Sequence, residues 1–187
     1  MNLLLVGAGG HARVVAEAAA SSGHRIVAYA DRQPAIWLDL PRISDDATPP
    51  ETVEGFVMGI GGIAPAGLQN RLAVFRRYAA RGIATVALRH ARATVASDAD
   101  IAAGAMVLAG AIVNPAAMIR EAAIVNTGAI IEHEADIGTG AHIAPGAIVL
   151  GAARVGEAAL VGAGAVVLPG AEVPAGTLVP ALGRYPR

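Results

Sequence analysis

Residues 123–149 read AIVNTG AIIEHE ADIGTG AHIAPG AIV; set in sixes, each block opens on a small residue and carries an aliphatic one two places later. Extended outward, the aliphatic series runs Val95, Ile101, Val107, Val113, Ile119, Val125, Ile131, Ile137, Ile143, Val149, Val155, Val161, Val167, Val173 and Val179 without a miss. A small residue keeps step with it from Ala99 to Thr177, alanine everywhere but at the end. A helix returns its apolar residues about every 3.6 positions and a flat sheet at every second one, so a period of six fits neither.

The solution is a parallel β-helix of triangular section. The aliphatic residue points into the prism and the small residue lets the chain turn the corner. Eighteen residues close a coil, so the series makes about five coils, stacked at about 4.8 Å into a prism on the order of 24 Å tall. β-branched residues stack in ladders while backbone hydrogen bonds run between coils. The composition agrees: the chain is 55% hydrophobic but only 3% aromatic, as a tightly stacked small-residue interior requires.

Residues 1–90 read differently, with the boundary near His90–Ala93 and the β-helix domain taken as 91–187. Strand runs at Asn2–Val6, Arg25–Tyr29, Phe56–Ile60 and Ile83–Leu88 alternate with helical patterns ending at Ala20 and over Pro65–Ala80, and residues 32–54 read as a connecting loop. Such alternation predicts a small parallel sheet, a truncated Rossmann-like α/β domain. Gly7-Ala8-Gly9-Gly10-His11-Ala12 fits GxGxxA, with Asp31 about twenty positions on, as a pyrophosphate-binding turn would have it. The domain is about half the size of a full dinucleotide fold. That argues against NAD and for a nucleotide sugar, which also carries a pyrophosphate. An unliganded tight turn would show the same glycines.

Several classes fall away. With no cysteine there are no disulfides, thiolate nucleophiles or thiolate metal sites. A net charge of −1 gives no reason to expect nucleic acid or a membrane surface as partner. Met1–Gly10 has no basic n-region and reaches glycine after six residues, so a cytoplasmic chain is expected.

The opening Leu5–Ala12, the hexad domain and the stretch Val125–Glu134 with Ile137-Gly138 together resemble one family. It is the NeuD/PglD type: sialic acid O-acetyltransferases and N-acetyltransferases of nucleotide-linked 4-amino sugars. The resemblance implies a left-handed β-helix, acetyl-CoA as co-substrate and a homotrimer with active sites between subunits. It also implies that His133 is the general base and that Glu134 raises its basicity. By the same resemblance His142, Ala163 and Ala181 meet acetyl-CoA, and Gly9, Gly10, His11, Asp31 and Gly61 hold the nucleotide sugar. Arg32 and Gly62 depart from the family's usual acid and polar residue.

The chemistry is reasonable on its own terms. Neutral imidazole near pH 7 accepts a proton from an attacking amine or hydroxyl, and a carboxylate beside it stabilises the imidazolium. With no Cys and no Ser placed beside His133, direct transfer is expected, with a backbone N–H as donor to the oxyanion. The expected reaction is acetylation of the 4-amino group of a nucleotide-linked amino sugar. The alternatives are O-acetylation of a sialic-type sugar and a nucleotide-sugar-binding scaffold trimer. A zinc-dependent γ-type carbonic anhydrase would need three histidines, and the repeat offers only His133 and His142; no metal is expected.

Overall fold

The computed structural model describes residues 1–44 and 47–186. Its first part is a parallel sheet of four strands, β1 (Asn2–Val6), β2 (Arg25–Ala30), β3 (Arg42–Ile43) and β4 (Gly55–Met58), in the order β3-β2-β1-β4. Helix α1 (Gly10–Ser21) follows β1, and α2 (Pro65–Ala80) follows β4. Leu3, Leu4 and Leu5 are fully buried, because a parallel strand with cover on both faces has no solvent side. The stretch expected as a loop over 32–54 includes β3, which pairs Arg42 and Ile43 with Tyr29 and Ala30; two residues make too short a run for a pattern to show. Residues 45 and 46 lie outside those described.

The second part is the β-helix. Two-residue strands recur every six positions and fall into three parallel sheets, residue i pairing with residue i+18. The first face holds Leu88–Arg89, Met106–Val107, Ile124–Val125, His142–Ile143, Leu160–Val161 and Leu178–Val179. The second runs from Thr94–Val95 through Ile130–Ile131 to Arg184–Tyr185, and the third from Asp100–Ile101 to Glu172–Val173. Ile131, Ile137, Ile143 and the alanines between them are fully buried in one continuous interior cluster.

The strand expected at Ile83–Leu88 is instead Leu88–Arg89, and it belongs to the β-helix, pairing with Met106–Val107. Only Thr85 bridges the small sheet, at Phe56. The hexad place here is held by exposed Arg89, so the aliphatic series does not announce this rung.

The three faces differ in what points outward, one residue before each inward aliphatic. On the third face the column is Asp100, Met118, Asp136, Arg154 and Glu172, laced by the Arg120–Asp136 pair at 2.8 Å and Arg154–Glu172 at 3.5 Å. On the second face it is Thr94, Ile112, Ile130, Ile148, Val166 and Arg184, and the four aliphatics at its centre are only partly buried. The first face is covered as far as Leu160: Met106, Leu108 and Ile124 share a core with the small domain, and Leu68 packs with Ala144, Ala158 and Leu160, while Leu178 at the end of the face is exposed.

Helix α2 makes that cover by climbing the corner between the third and first faces. Side chains on one side of a helix recur about every 5.4 Å, close to the ~4.8 Å between coils. Phe75 lies over Gly104, Arg71 reaches Ala122, Leu72 lies over Gly140 and Leu68 sits by Ala158. Gly104 serves twice: φ is +69°, and a Cβ there would overlap the Phe75 ring.

Candidate functional site

A cavity of about 690 Å³ opens where the small domain meets the corner between the first and second faces. The small domain contributes His11, Gly61, Gly62 and Ile63; the β-helix contributes Asn126, His142, Pro145, Leu160, Ala163 and Ala181, among others. His11, Gly61, His142, Ala163 and Ala181 were expected to contact two different ligands, and here they share one wall.

His142 is held from both sides. Its Nδ1 is 2.8 Å from the carbonyl oxygen of Gly62, so Nδ1–H donates. Its Nε2, 2.9 Å away, accepts from the Asn126 amide, whose oxygen is already committed to the Thr127 N–H. The ring is therefore neutral, with its tautomer fixed from outside. Burial pushes its pKa below the ordinary histidine value, outweighing the Gly62 bond, and the Arg71 charge lowers it further. Asn126 and Arg71 had no role in the reading of the sequence. Asn126 stood inside the quoted motif, and Arg71 stood as a charge among Leu68, Leu72 and Phe75 on the apolar side of α2, which is a readable signal.

His11 packs against Gly61 and faces His142 with ring centroids 6.4 Å apart. Its Nε2 is buried and, among the described residues, has no hydrogen-bond partner. Burial lowers its pKa to about 4, helped by His142 and Arg71. An orphaned imidazole nitrogen facing a cavity is a place for a ligand's hydrogen-bonding group.

The glycine turn is built to present backbone. Gly7 has φ +89° and a Cβ there would overlap Ile60, so only glycine fits. Gly9 and Gly10 are exposed at the start of α1, where no side chain caps the helix and added atoms would meet open space. The free N–H groups of that first turn favour an anion. Asp31 fastens the turn from below: its carboxylate accepts the Ala8 N–H at 2.8 Å and the Gln33 N–H at 2.9 Å. Asp31 and Arg32 also border a smaller cavity of about 220 Å³ with Gly7, Ile60 and Arg77.

His133 and Glu134 lie elsewhere, at the corner between the second and third faces, one full face from the cavity. His133 Nδ1 is 3.1 Å from the Glu134 carboxylate, so Nδ1–H donates and Nε2 is left to accept a proton. The two side chains are 60% and 67% exposed, which leaves the pair open to an incoming group. Its ring lies over Gly151 of the next coil, where a Cβ would collide with it. Glu134 has φ +59°, at a corner position filled by alanine or glycine in the neighbouring coils (Ala116, Ala152, Gly170). A glutamate in the left-handed region costs on the order of 1 kcal/mol. Among the described residues no group of three or more His, Cys, Asp or Glu could hold a metal ion, and no helix is long and apolar enough to cross a membrane. His90, buried at the start of the β-helix, donates from Nε2 to Glu17 at 2.8 Å and joins α1 to the first coil.

No curated protein sequence matches the chain. The PglD N-terminal domain family matches residues 2–65. Among solved structures, the chain is similar to PerB of Caulobacter crescentus in complex with CoA and GDP-perosamine, at 31% identity and a TM-score of 0.91, covering 100% of this chain and 89% of that one. A histidine mutant of perosamine N-acetyltransferase from the same organism, with the same ligands, gives 30% identity, a TM-score of 0.91 and the same coverage. The acetyltransferase domain of PglB from Neisseria gonorrhoeae FA1090, in complex with acetyl coenzyme A, matches at 27% identity and a TM-score of 0.84, covering 97% of each chain.

Two outcomes follow from this geometry. Between pH 6.5 and about 4 the unfolded chain binds a proton at His11 that the folded chain refuses, so stability falls as pH falls through that window. The loss reaches about 3 kcal/mol, and His11→Gln removes that part of the slope in urea unfolding measured at pH 7, 6, 5 and 4. Separately, Glu134→Gly relieves the strained corner, and the variant unfolds no more easily than the parent, within about 0.5 kcal/mol.

Proposed function

The chain belongs to the NeuD/PglD-type family of sugar acetyltransferases, and from that membership we propose that it acetylates the 4-amino group of a nucleotide-linked amino sugar with His133 as general base. At the coarser level it is an acetyl-CoA-dependent sugar N-acetyltransferase of the left-handed β-helix class. The observation that carries the reading is the full-length likeness to a perosamine N-acetyltransferase at 30% identity. Residues 1–90 are proposed as the nucleotide-sugar-binding unit and 91–187 as the acyltransferase unit.

In the proposed reaction the neutral amine attacks the thioester carbonyl carbon directly. As the C–N bond forms, the amine's proton passes to His133 Nε2, and the developing imidazolium is stabilised by Glu134 through Nδ1–H. A backbone N–H meets the oxyanion. The tetrahedral species collapses with cleavage of the C–S bond, and the CoA thiolate leaves and takes up a proton. Ala163 and Ala181, being small, keep the corner groove open for the CoA chain, beside His142. The open first turn of α1 at Gly9 and Gly10, with His11, Asp31 and Gly61 about it, suits the nucleotide sugar's diphosphate and the groups flanking it.

Within one chain the base lies a prism face away from the cavity. Both corners flank the second face, whose outward column Ile112, Ile130, Ile148 and Val166 is aliphatic and only partly buried. Packing three such faces about a common axis would cover the column and bring His133 of one copy toward the cavity of the next. That supports a homotrimer with its sites between subunits.

Thiol release from acetyl-CoA against UDP- and GDP-linked 4-amino sugars and free sialic acids is the test. Turnover is expected on an amino-sugar nucleotide, and His133→Ala should lower kcat by about a hundredfold or more; activity that survives the substitution sinks the mechanism. For the assembly, Ile130→Arg buries a charge in the column. Light scattering after size exclusion should show the trimer lost and turnover lost with it, and an unchanged mass would remove the second face as the interface.

A further inference from the structure

We propose that Arg71 is a positioning residue for the site: its buried guanidinium, paired with no carboxylate among the described residues, bridges the Ile60–Gly62 segment of the small domain to the Ala122 corner of the prism. It thereby sets the wall on which His11 and His142 face the cavity. The proposal rests on the reading above only in naming which ligand that wall receives.

Arg71 is fully buried and is the largest of the fully buried side chains. An arginine so placed ordinarily sits against an acid, because an isolated charge is expensive to remove from water. Here every ion pair formed among the described residues leaves Arg71 out, and burial alone brings its pKa down to about 10. It therefore stays charged at neutral pH. Its Nε–H donates to the Ile60 carbonyl at 2.8 Å, one Nη donates to the Ala122 carbonyl, and the other Nη has no partner among the described residues. A packing role would be met by leucine or methionine. What a guanidinium adds is a rigid fork that satisfies two carbonyls on different parts of the chain at once.

The place of those carbonyls gives the fork its meaning. Ile60 opens the segment whose Gly61 backs the His11 ring and whose Gly62 carbonyl accepts from His142. Two ties thus hold three consecutive residues to the prism, Arg71 at one end and His142 at the other. Arg71 from α2 and His142 from the first face are also the charged or titratable groups that act on His11, and neither is an acid. Its positive charge therefore helps to keep both imidazoles neutral, with the His11 Nε2 available to a ligand.

Geometry and charge separate by substitution. Arg71→Lys keeps the charge and cannot reach both carbonyls; Arg71→Met keeps most of the volume and neither property. The first measurements need no substrate. Both variants should speed hydrogen exchange at the Gly61, Gly62 and Ile63 amides by about tenfold or more, the worth of one charged hydrogen bond. By NMR titration His11 should stay near pH 4 in Arg71→Lys and move upward in Arg71→Met, short of 6.5 because burial remains. In turnover, both should raise KM for the nucleotide sugar about tenfold to a hundredfold with kcat nearly kept, whereas a merely structural loss would lower the active fraction and leave KM alone. Unchanged exchange and titration in folded variants, or a wild-type KM in Arg71→Lys, would overturn the proposal. Should Arg71→Met fail to fold, exchange and KM in Arg71→Lys decide it. An inactive wild type with the exchange and titration effects intact would count against the reaction and not against Arg71.

Discussion

Each residue of the β-helix lies under the residue eighteen positions later, because the backbone hydrogen bonds that close the sheets run between coils. Everything else follows from that register. Inside, it stacks one aliphatic residue on the next, from Ile101 to Val179, into a core that needs no aromatic residues. Outside, it turns single sequence positions into columns, so one choice of residue type sets the character of a whole face. It also fixes a spacing of about 4.8 Å that a helix nearly matches. Helix α2 can therefore lie along a corner and spend about one side chain per coil, which is how the small domain is seated.

That seating assembles the cavity. Its polar wall is made of groups that need each other: the Gly62 carbonyl takes the His142 proton, His142 takes one from Asn126, and Asn126 takes one from the Thr127 backbone. His11 is left with a buried nitrogen that has no partner among the described residues. Two neutral histidines beside a buried guanidinium cost stability in acid and leave the wall prepared for a ligand. The strained Glu134 corner is a second local cost, again at a position whose side chain bonds a histidine. The first cost falls where α1, α2 and the first face meet and the second at a corner of the prism, while the inward ladders stay regular.

The hexad series was legible because an aliphatic residue at every sixth place has no other structural use. It failed to show the first rung, where exposed Arg89 holds that place. The candidate site residues were only partly legible. His133 and Glu134 showed as polar residues on an alanine- and glycine-rich run. Asp31 showed by its distance from the glycine turn, although its first task proves to be holding the Ala8 and Gln33 backbone. The aliphatic column of the second face was present in the letters as Ile112, Ile130, Ile148 and Val166. It becomes visible only once positions eighteen apart are set side by side.

The sequence by itself determined the prism, its period and inward ladder, the parallel α/β unit before it and the residue types able to carry proton transfer. These are local or periodic properties, repeated often enough to be read without coordinates. Only the tertiary structure decided that His11 and His142 share a wall, that both are neutral, that Arg71 is buried there with no acid beside it among the described residues, and that His133 sits a face away. Those facts depend on burial and on contacts between residues far apart in the chain, such as Gly62 with His142, 80 positions on. Desolvation and long-range pairing set the chemistry of a side chain, and neither is written in its neighbours along the sequence.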